Sequence, residues 1–197
     1  MNNIPQQILV GIVSSSNLSF SLEEDYRFGD QLYKGDFCAS VKDDKIEFLG
    51  CCYDEIIFEP INYETSFFVL NDVVIGIDFH WQKTEKQRFL GSLKLIVENS
   101  VITAINILSV EDYLVSVISS EMSATSYLEL LKAHAVISRS WLLCQFEKTK
   151  AIYNKENLLN ITDSEIFINR WYERDKHTNY DVCADDHCQR YQGLVRA

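Results

Sequence analysis

An α+β fold, strand-rich first and helical in the middle, follows from three observations. Between residues 4 and 108, apolar residues alternate or run in short blocks bounded by turn residues. From Ser109 to about Phe146 the apolar spacing changes to the helical period. Beyond that lies a polar stretch and then a segment rich in Cys and His. The predicted organisation is a strand-rich region over 1–88. A second region over 89–197 holds a two-helix unit and the Cys/His segment.

The strands come first. Leu18, Phe20 and Leu22 alternate with Ser19 and Ser21. Lys42 to Lys45 reads as a turn between strands over Phe37–Val41 and Ile46–Leu49. Ile56–Phe58 runs up to Pro60, and Ser66–Leu70 and Val73–Ile77 are apolar enough for buried strands. Phe89–Val97 and Val101–Leu108 predict a hairpin across Glu98-Asn99-Ser100. Asp78 to Gln82 is a polar-aromatic patch. Phe79 and Trp81 could stack on a sugar face, although an ordinary strand end with exposed aromatics is the plainer reading.

The first helix opens on Ser109 as N-cap, with Glu111 and Asp112 in the first turn, where acidic groups complement the helix dipole. Val110, Tyr113, Leu114, Val117 and Ile118 make one apolar stripe, and Glu121 falls on its continuation. A carboxylate on that face needs a partner or a purpose, and an end-of-helix Glu that bends out to water or pairs with a base is the plainer reading. After a tight link, Ser126 and Glu129 form a second capping box. The helix from Tyr127 to about Phe146 carries Leu128, Leu131, Ala135, Ser138 and Leu142 on one face, and Lys132 and Arg139 seven apart on another. Residues 148–157 read as a solvated loop or a short helix, and 163–171 as another short helix, with Trp171 in the core.

Composition excludes some classes. Apolar residues make up 47%, enough for a real core, and 7 Gly with 2 Pro leave no flexible linker. Lys and Arg number 18 against 29 acidic residues, a net charge of −11, which argues against nucleic-acid binding. No stretch has the roughly 20 apolar residues of a membrane span, and the N-terminus lacks the basic start of a signal peptide. Cys38 and Cys144 are expected to be small buried hydrophobes. His177, Cys183, His187 and Cys188 are the residue types zinc prefers. A Cys183–Cys188 disulfide and free thiols stay open.

Three ordered motifs carry a family resemblance. They are Glu111-Asp112-Tyr113-Leu114, then Ser120-Glu121-Met122, then Leu130 to Trp141 with Lys132, Ala133, Ala135, Val136 and Arg139 in place. Together they resemble the SpoIID/LytB domain, as does Gln189-Arg190-Tyr191-Gln192-Gly193 in the tail. The match covers roughly residues 89–193. Ser123 departs from the family's Pro and His134 from its Gln. The resemblance implies that the domain continues past Gly193, so the second region is expected to be incomplete at its C-terminal side. It implies an extracytoplasmic or wall-associated setting, although no leader is visible.

It also implies a chemistry. Family members include lytic transglycosylases that cut the β-1,4 bond between N-acetylmuramic acid and N-acetylglucosamine and leave a 1,6-anhydro product. Glu121 would be the general acid, set against Val117 and Ile118, where apolar surroundings favour a protonated carboxyl. Arg139, Lys132, Gln189 and Tyr191 would contact substrate. Arg139 could instead form a helix-surface salt bridge. His134, as a lone His, reads as a packed or surface residue. A structural zinc on His177, Cys183, His187 and Cys188 would fix the tail beside the cleft. The expected partners are peptidoglycan glycan strands. In the alternative, a non-catalytic wall-binding module stimulates an amidase.

Overall fold

The computed structural model describes residues 6–76, 80–123, 125–156 and 177–194. The expected helix over 163–171, Trp171, Asp78 and Phe79 lie outside them. Strands β1 (Gln7–Ser15), β2 (Asn17–Phe28), β3 (Gln31–Lys42), β4 (Lys45–Phe48), β5 (Cys51–Tyr53) and β6 (Glu55–Pro60) come first. β7 (Phe67–Ile75), β8 (Lys83–Leu90), β9 (Ser92–Glu98) and β10 (Val101–Ser109) lead into α1 (Val110–Glu121) and α2 (Leu128–Glu156). A two-residue β11 (Val182–Cys183) closes the series. The fold is α+β.

The strands form one sheet in the order β11-β1-β10-β9-β6-β2-β3-β4-β5, with β7 paired to β2 and β8 to β7. β6 joins its two halves: Glu55–Phe58 pair with β9, and Glu59 and Pro60 with β2. Two tight turns set the register, as the sequence predicts. Asn99 and Ser100 have φ of 52° and 60°, and Asp43 and Asp44 have 51° and 59°. Positive φ at both central residues twists a hairpin in the sense its strands need.

Burial explains the two roles of the sheet. Alternate residues Leu18, Phe20 and Leu22 point inward on β2. Phe20, Phe48 and Phe58 are almost fully buried and pack with one another and with Phe37 and Tyr33, mostly at tilted or edge-on angles, at centroid spacings of 5.5–6.2 Å. Each such ring contributes about 1.5–3 kcal/mol by leaving water. On β10, residues Ile102–Asn106 are all buried, so both faces of that strand are covered. β10 feeds straight into α1 and fixes where that helix starts.

Several expectations change. Phe89–Val97 is not one strand: it breaks at Gly91, where β8 leaves for β7 and β9 begins its hairpin with β10. Cys38 and Cys144 are exposed. Cys38 precedes the inward Ala39 on β3, so the strand's alternation turns it out. α2 begins at Leu128, where the Tyr127 carbonyl accepts from the amides of Leu130 and Leu131. It continues through Glu156, because the Lys, Ala and Glu of this polar stretch are good helix formers. On α2, His134, Ser138 and Leu142 form the buried row, while Leu128 is exposed. No helix among the described residues is long and apolar enough to cross a membrane.

Candidate functional site

The start of α1 is anchored as the sequence predicts. Ser109 Oγ accepts from the Asp112 amide at 3.1 Å, and Tyr63 donates its hydroxyl to Asp112 at 2.7 Å. Val110, Tyr113, Leu114 and Val117 bury the inner stripe. The helix stops at Glu121, and the chain turns there toward α2. This corner brings Glu121 to His134. The His134 Nε2–Glu121 Oε2 distance is 2.8 Å, and the backbone N–H of Arg190 donates to Glu121 Oε1 at 3.1 Å.

The His134 side chain is 10% exposed and that of Glu121 is 29% exposed. His134 Nδ1 is buried with no partner among the described residues. An orphaned N–H costs more than an orphaned lone pair, so the proton belongs on Nε2, donating to Glu121. The carboxylate therefore pairs with a base, as the plainer reading of its spacing has it, and lacks the apolar setting against Val117 and Ile118 expected for the general acid. Val117 is fully buried in the core, whereas the last turn of α1 lifts Glu121 clear of it.

The tail supplies the rest of the corner. Tyr191 is 2% exposed, stacks between Tyr113 and Phe89, and donates to Asn106 Oδ1 at 2.6 Å. Gln189 is buried and accepts from the Tyr113 hydroxyl at 3.3 Å. Its amide also donates to the Ser138 carbonyl at 3.4 Å, so it ties α1 to α2. Burial pushes the phenols of Tyr113 and Tyr191 up, which keeps both as neutral donors. Gly193 has φ +60°, and a Cβ there would stand 2.2 Å from the Arg88 carbonyl, so the tail lies against β8 only with glycine. Gln189 and Tyr191, expected as substrate contacts, instead hold the tail in the core and offer a glycan no surface.

Arg190, between them, faces outward. Its guanidinium is held by Asp186 through two bonds of 3.0 Å, which raise its pKa further, and it lies 5.4 Å from the Trp81 ring centroid. Lys132 pairs with Glu129, and Arg139 with Glu111 at the far end of α1, all four side chains largely exposed.

The four predicted metal ligands come together. The donor atoms of His177, Cys183, His187 and Cys188 all lie within 4.8 Å of one another. Cys188 Sγ is 3.4 Å from His177 Nε2 and 3.5 Å from His187 Nδ1, and Cys183 Sγ is 3.7 Å from the same nitrogen. Zn–S and Zn–N bonds of roughly 2.3 and 2.1 Å at tetrahedral angles give S···N edges of about 3.5 Å. The donor set thus fits zinc. All six cysteines are thiols. The Cys183 thiol is held well below its ordinary pKa, first by its hydrogen bond with Cys188, then by Asp185 and His187. β11 pairs Cys183 with Gly11 of β1, which anchors the cluster to the sheet.

Sequence reasoning missed two contacts to Glu121. His134 carried a signal: it shares a helical row with Ser138 and Leu142. Arg190 carried none, because its contact is made by a backbone N–H, which every residue but proline has.

Comparison with known proteins gives one finding. The family model described as SpoIID, stage II sporulation protein, matches residues 98–197. Searches of curated proteins and of solved structures each return no match.

Proposed function

The chain belongs to the stage II sporulation protein (SpoIID) family, and from that membership we propose that it cleaves peptidoglycan glycan strands as a lytic transglycosylase, with Glu121 as general acid and base. Membership itself points to a role at the cell wall. The observation that carries the finer reading is the hold on Glu121: one oxygen faces His134 Nε2 and the other the Arg190 amide. Three separate elements, α1, α2 and the tail, fix one carboxylate that still reaches solvent.

One carboxyl suffices for this reaction. In its protonated form Glu121 gives its proton to the bridging oxygen as the bond to the muramic acid C1 breaks. The 6-hydroxyl of the same sugar closes on C1 and returns its proton to Glu121. The products are a free 4-hydroxyl and a 1,6-anhydro ring, no water is consumed, and the carboxyl ends as it began. A hydrolase would need a second carboxyl at a set separation to activate water or attack.

Zinc, held by His177, Cys183, His187 and Cys188, belongs to the same proposal. Four protein ligands leave no open position, so its role is structural: it braces the loop that leads to Arg190. The purified protein should contain about one zinc per chain, and a strong chelator should lower its melting temperature. A zinc-free protein indifferent to chelator rejects the assignment.

A second reading, a wall-binding module that stimulates an amidase, is favoured by the apolar side chains that α2 leaves exposed, among them Leu130, Val136, Ile137 and Leu143. Digestion of denuded glycan strands separates the two. Anhydro-muramyl ends among the products support the lytic enzyme. Stimulated amidase activity without such ends supports the module.

A further inference from the structure

We propose that His134 is a positioning residue for Glu121: its imidazole stays neutral and aims the carboxyl through Nε2–H, while the proton that the reaction uses resides on Glu121. The inference rests on the lytic reading and adds to it a division of labour inside the Glu121–His134 pair.

Three observations carry it. First, the bond is short and its donor is fixed. His134 Nε2 stands 2.8 Å from Glu121 Oε2 across the corner between α1 and α2. The imidazole is 10% exposed and lies in the buried row of α2 with Ser138 and Leu142. The packed ring sets the direction, and the carboxyl turns to meet it. Second, the far side of the ring is closed to a proton. Nδ1 is buried and meets no acceptor among the described residues. A second proton reaching the pair has two places to go. On Nδ1 it would make a buried N–H with nothing to receive it, which is costly. On Glu121 it takes a lone pair that neither N–H donor uses, on a side chain that is 29% exposed. Third, both donors to Glu121 are neutral. The second donor is the Arg190 backbone N–H, while the Arg190 guanidinium is turned to Asp186. On the two helices Lys132 pairs with Glu129 and Arg139 with Glu111.

The reaction explains why a neutral donor suits this place. A general acid has to be aimed, yet it must hold its proton until the leaving oxygen takes it. A cationic side chain in the place of His134 would aim the carboxyl but bond most strongly to its ionised form, because charge-assisted hydrogen bonds are the stronger ones. A neutral N–H gives direction with less of that bias. The side-chain amide of Gln is a donor of the same kind, so it is the conservative replacement. Leu fills comparable space with no donor.

The test uses the full chain. Long-range proton–nitrogen NMR on the isotope-labelled protein at neutral pH reads the tautomer of His134. The expected spectrum has Nε2 protonated and Nδ1 bare. kcat and KM on denuded glycan strands are measured for His134→Gln and His134→Leu, with melting temperatures beside them. Leu should lower kcat about tenfold with KM within about twofold, since a misaimed acid slows the bond-breaking step and not binding. Gln should restore kcat to within about threefold of the unaltered chain. A merely structural His134 would not separate Gln from Leu in kcat per folded molecule. If the unaltered chain cleaves glycan but carries the His134 proton on Nδ1, or if Leu matches its kcat, the positioning role is refuted while the lytic reading stands. Should the Leu variant not fold, a folded Gln variant about tenfold slower than the unaltered chain refutes the role equally. If the unaltered chain releases no anhydro-muramyl ends, the lytic reading fails and takes the positioning role with it.

Discussion

Two sets of contacts made by the same short tail differ in kind. Gln189, Tyr191 and Gly193 point inward to Tyr113, Phe89, Asn106, Ser138 and β8. Arg190, between the first two, points outward and touches Glu121 and Trp81. Of Gln189, Arg190, Tyr191 and Gln192, Arg190 alone is not buried, and its contact to the acid is made by its backbone N–H. The motif residues that attract notice by type are the ones buried for packing. The residue between them supplies the contact to the acid. A recognisable motif can thus mark the frame of a site and not its surface.

The sharpest way to test this division is on the outward side. Glu121→Gln keeps an oxygen acceptor for the Arg190 amide but cannot deliver a proton. Glycan cleavage should fall by about 10²–10⁴-fold, the usual worth of a general acid, while the melting temperature stays near that of the parent. Release of anhydro-muramyl ends checks the first and calorimetry the second. A Gln variant as active as the parent removes Glu121 from the chemistry.

The inward side should respond in the opposite manner. Tyr191→Ala empties a ring-sized space among Tyr113 and Phe89 and should cost about 3–5 kcal/mol. Tyr191→Phe keeps the stack but leaves Asn106 Oδ1 buried without its donor, at about 1–3 kcal/mol. For a chain of this length each kcal/mol lowers the melting temperature by about 2–4 °C. KM measured on the folded fraction of Tyr191→Phe should not change. A raised KM with unchanged stability would return Tyr191 to the substrate.

What the sequence made legible follows the same line. The N-cap at Ser109, the two tight turns and the inward row of β2 depend on local patterns, and they appear as expected. The Cys/His cluster was legible from residue type alone, since few other reasons gather four such side chains in so short a segment. That Glu121 turns to water or to a base was legible from its place at a helix end, but the groups that hold it were not. His134 lies 13 positions away and the Arg190 amide 69, and helical spacing says nothing about what a distant tail brings to a helix end. The link from Trp81 to the same corner was hidden for the same reason: it depends on where a residue between β7 and β8 meets the tail, not on any local period.

Arg139 gives the smallest expected effect. Its partner Glu111 stands at the first turn of α1 and Glu121 at the last, ten residues on. At a rise of about 1.5 Å per residue that places the ion pair roughly 15 Å along the axis from the acid. The pair is also largely exposed, its side chains 49% and 62% accessible. Such pairs contribute about 0–1 kcal/mol, since two long side chains lose entropy to meet in a screened medium. Arg139→Ala should therefore leave kcat unchanged and lower the melting temperature by no more than about 4 °C. Comparing muramic acid glycan with an N-acetylglucosamine oligomer that lacks the lactyl carboxylate makes the test specific. Equal KM ratios for the variant and the parent on both ligands keep Arg139 as a tie between two helices. A KM rise confined to the carboxylate-bearing strand would give it a second outward contact, and would extend the glycan's track from the Glu121 corner along the length of α1.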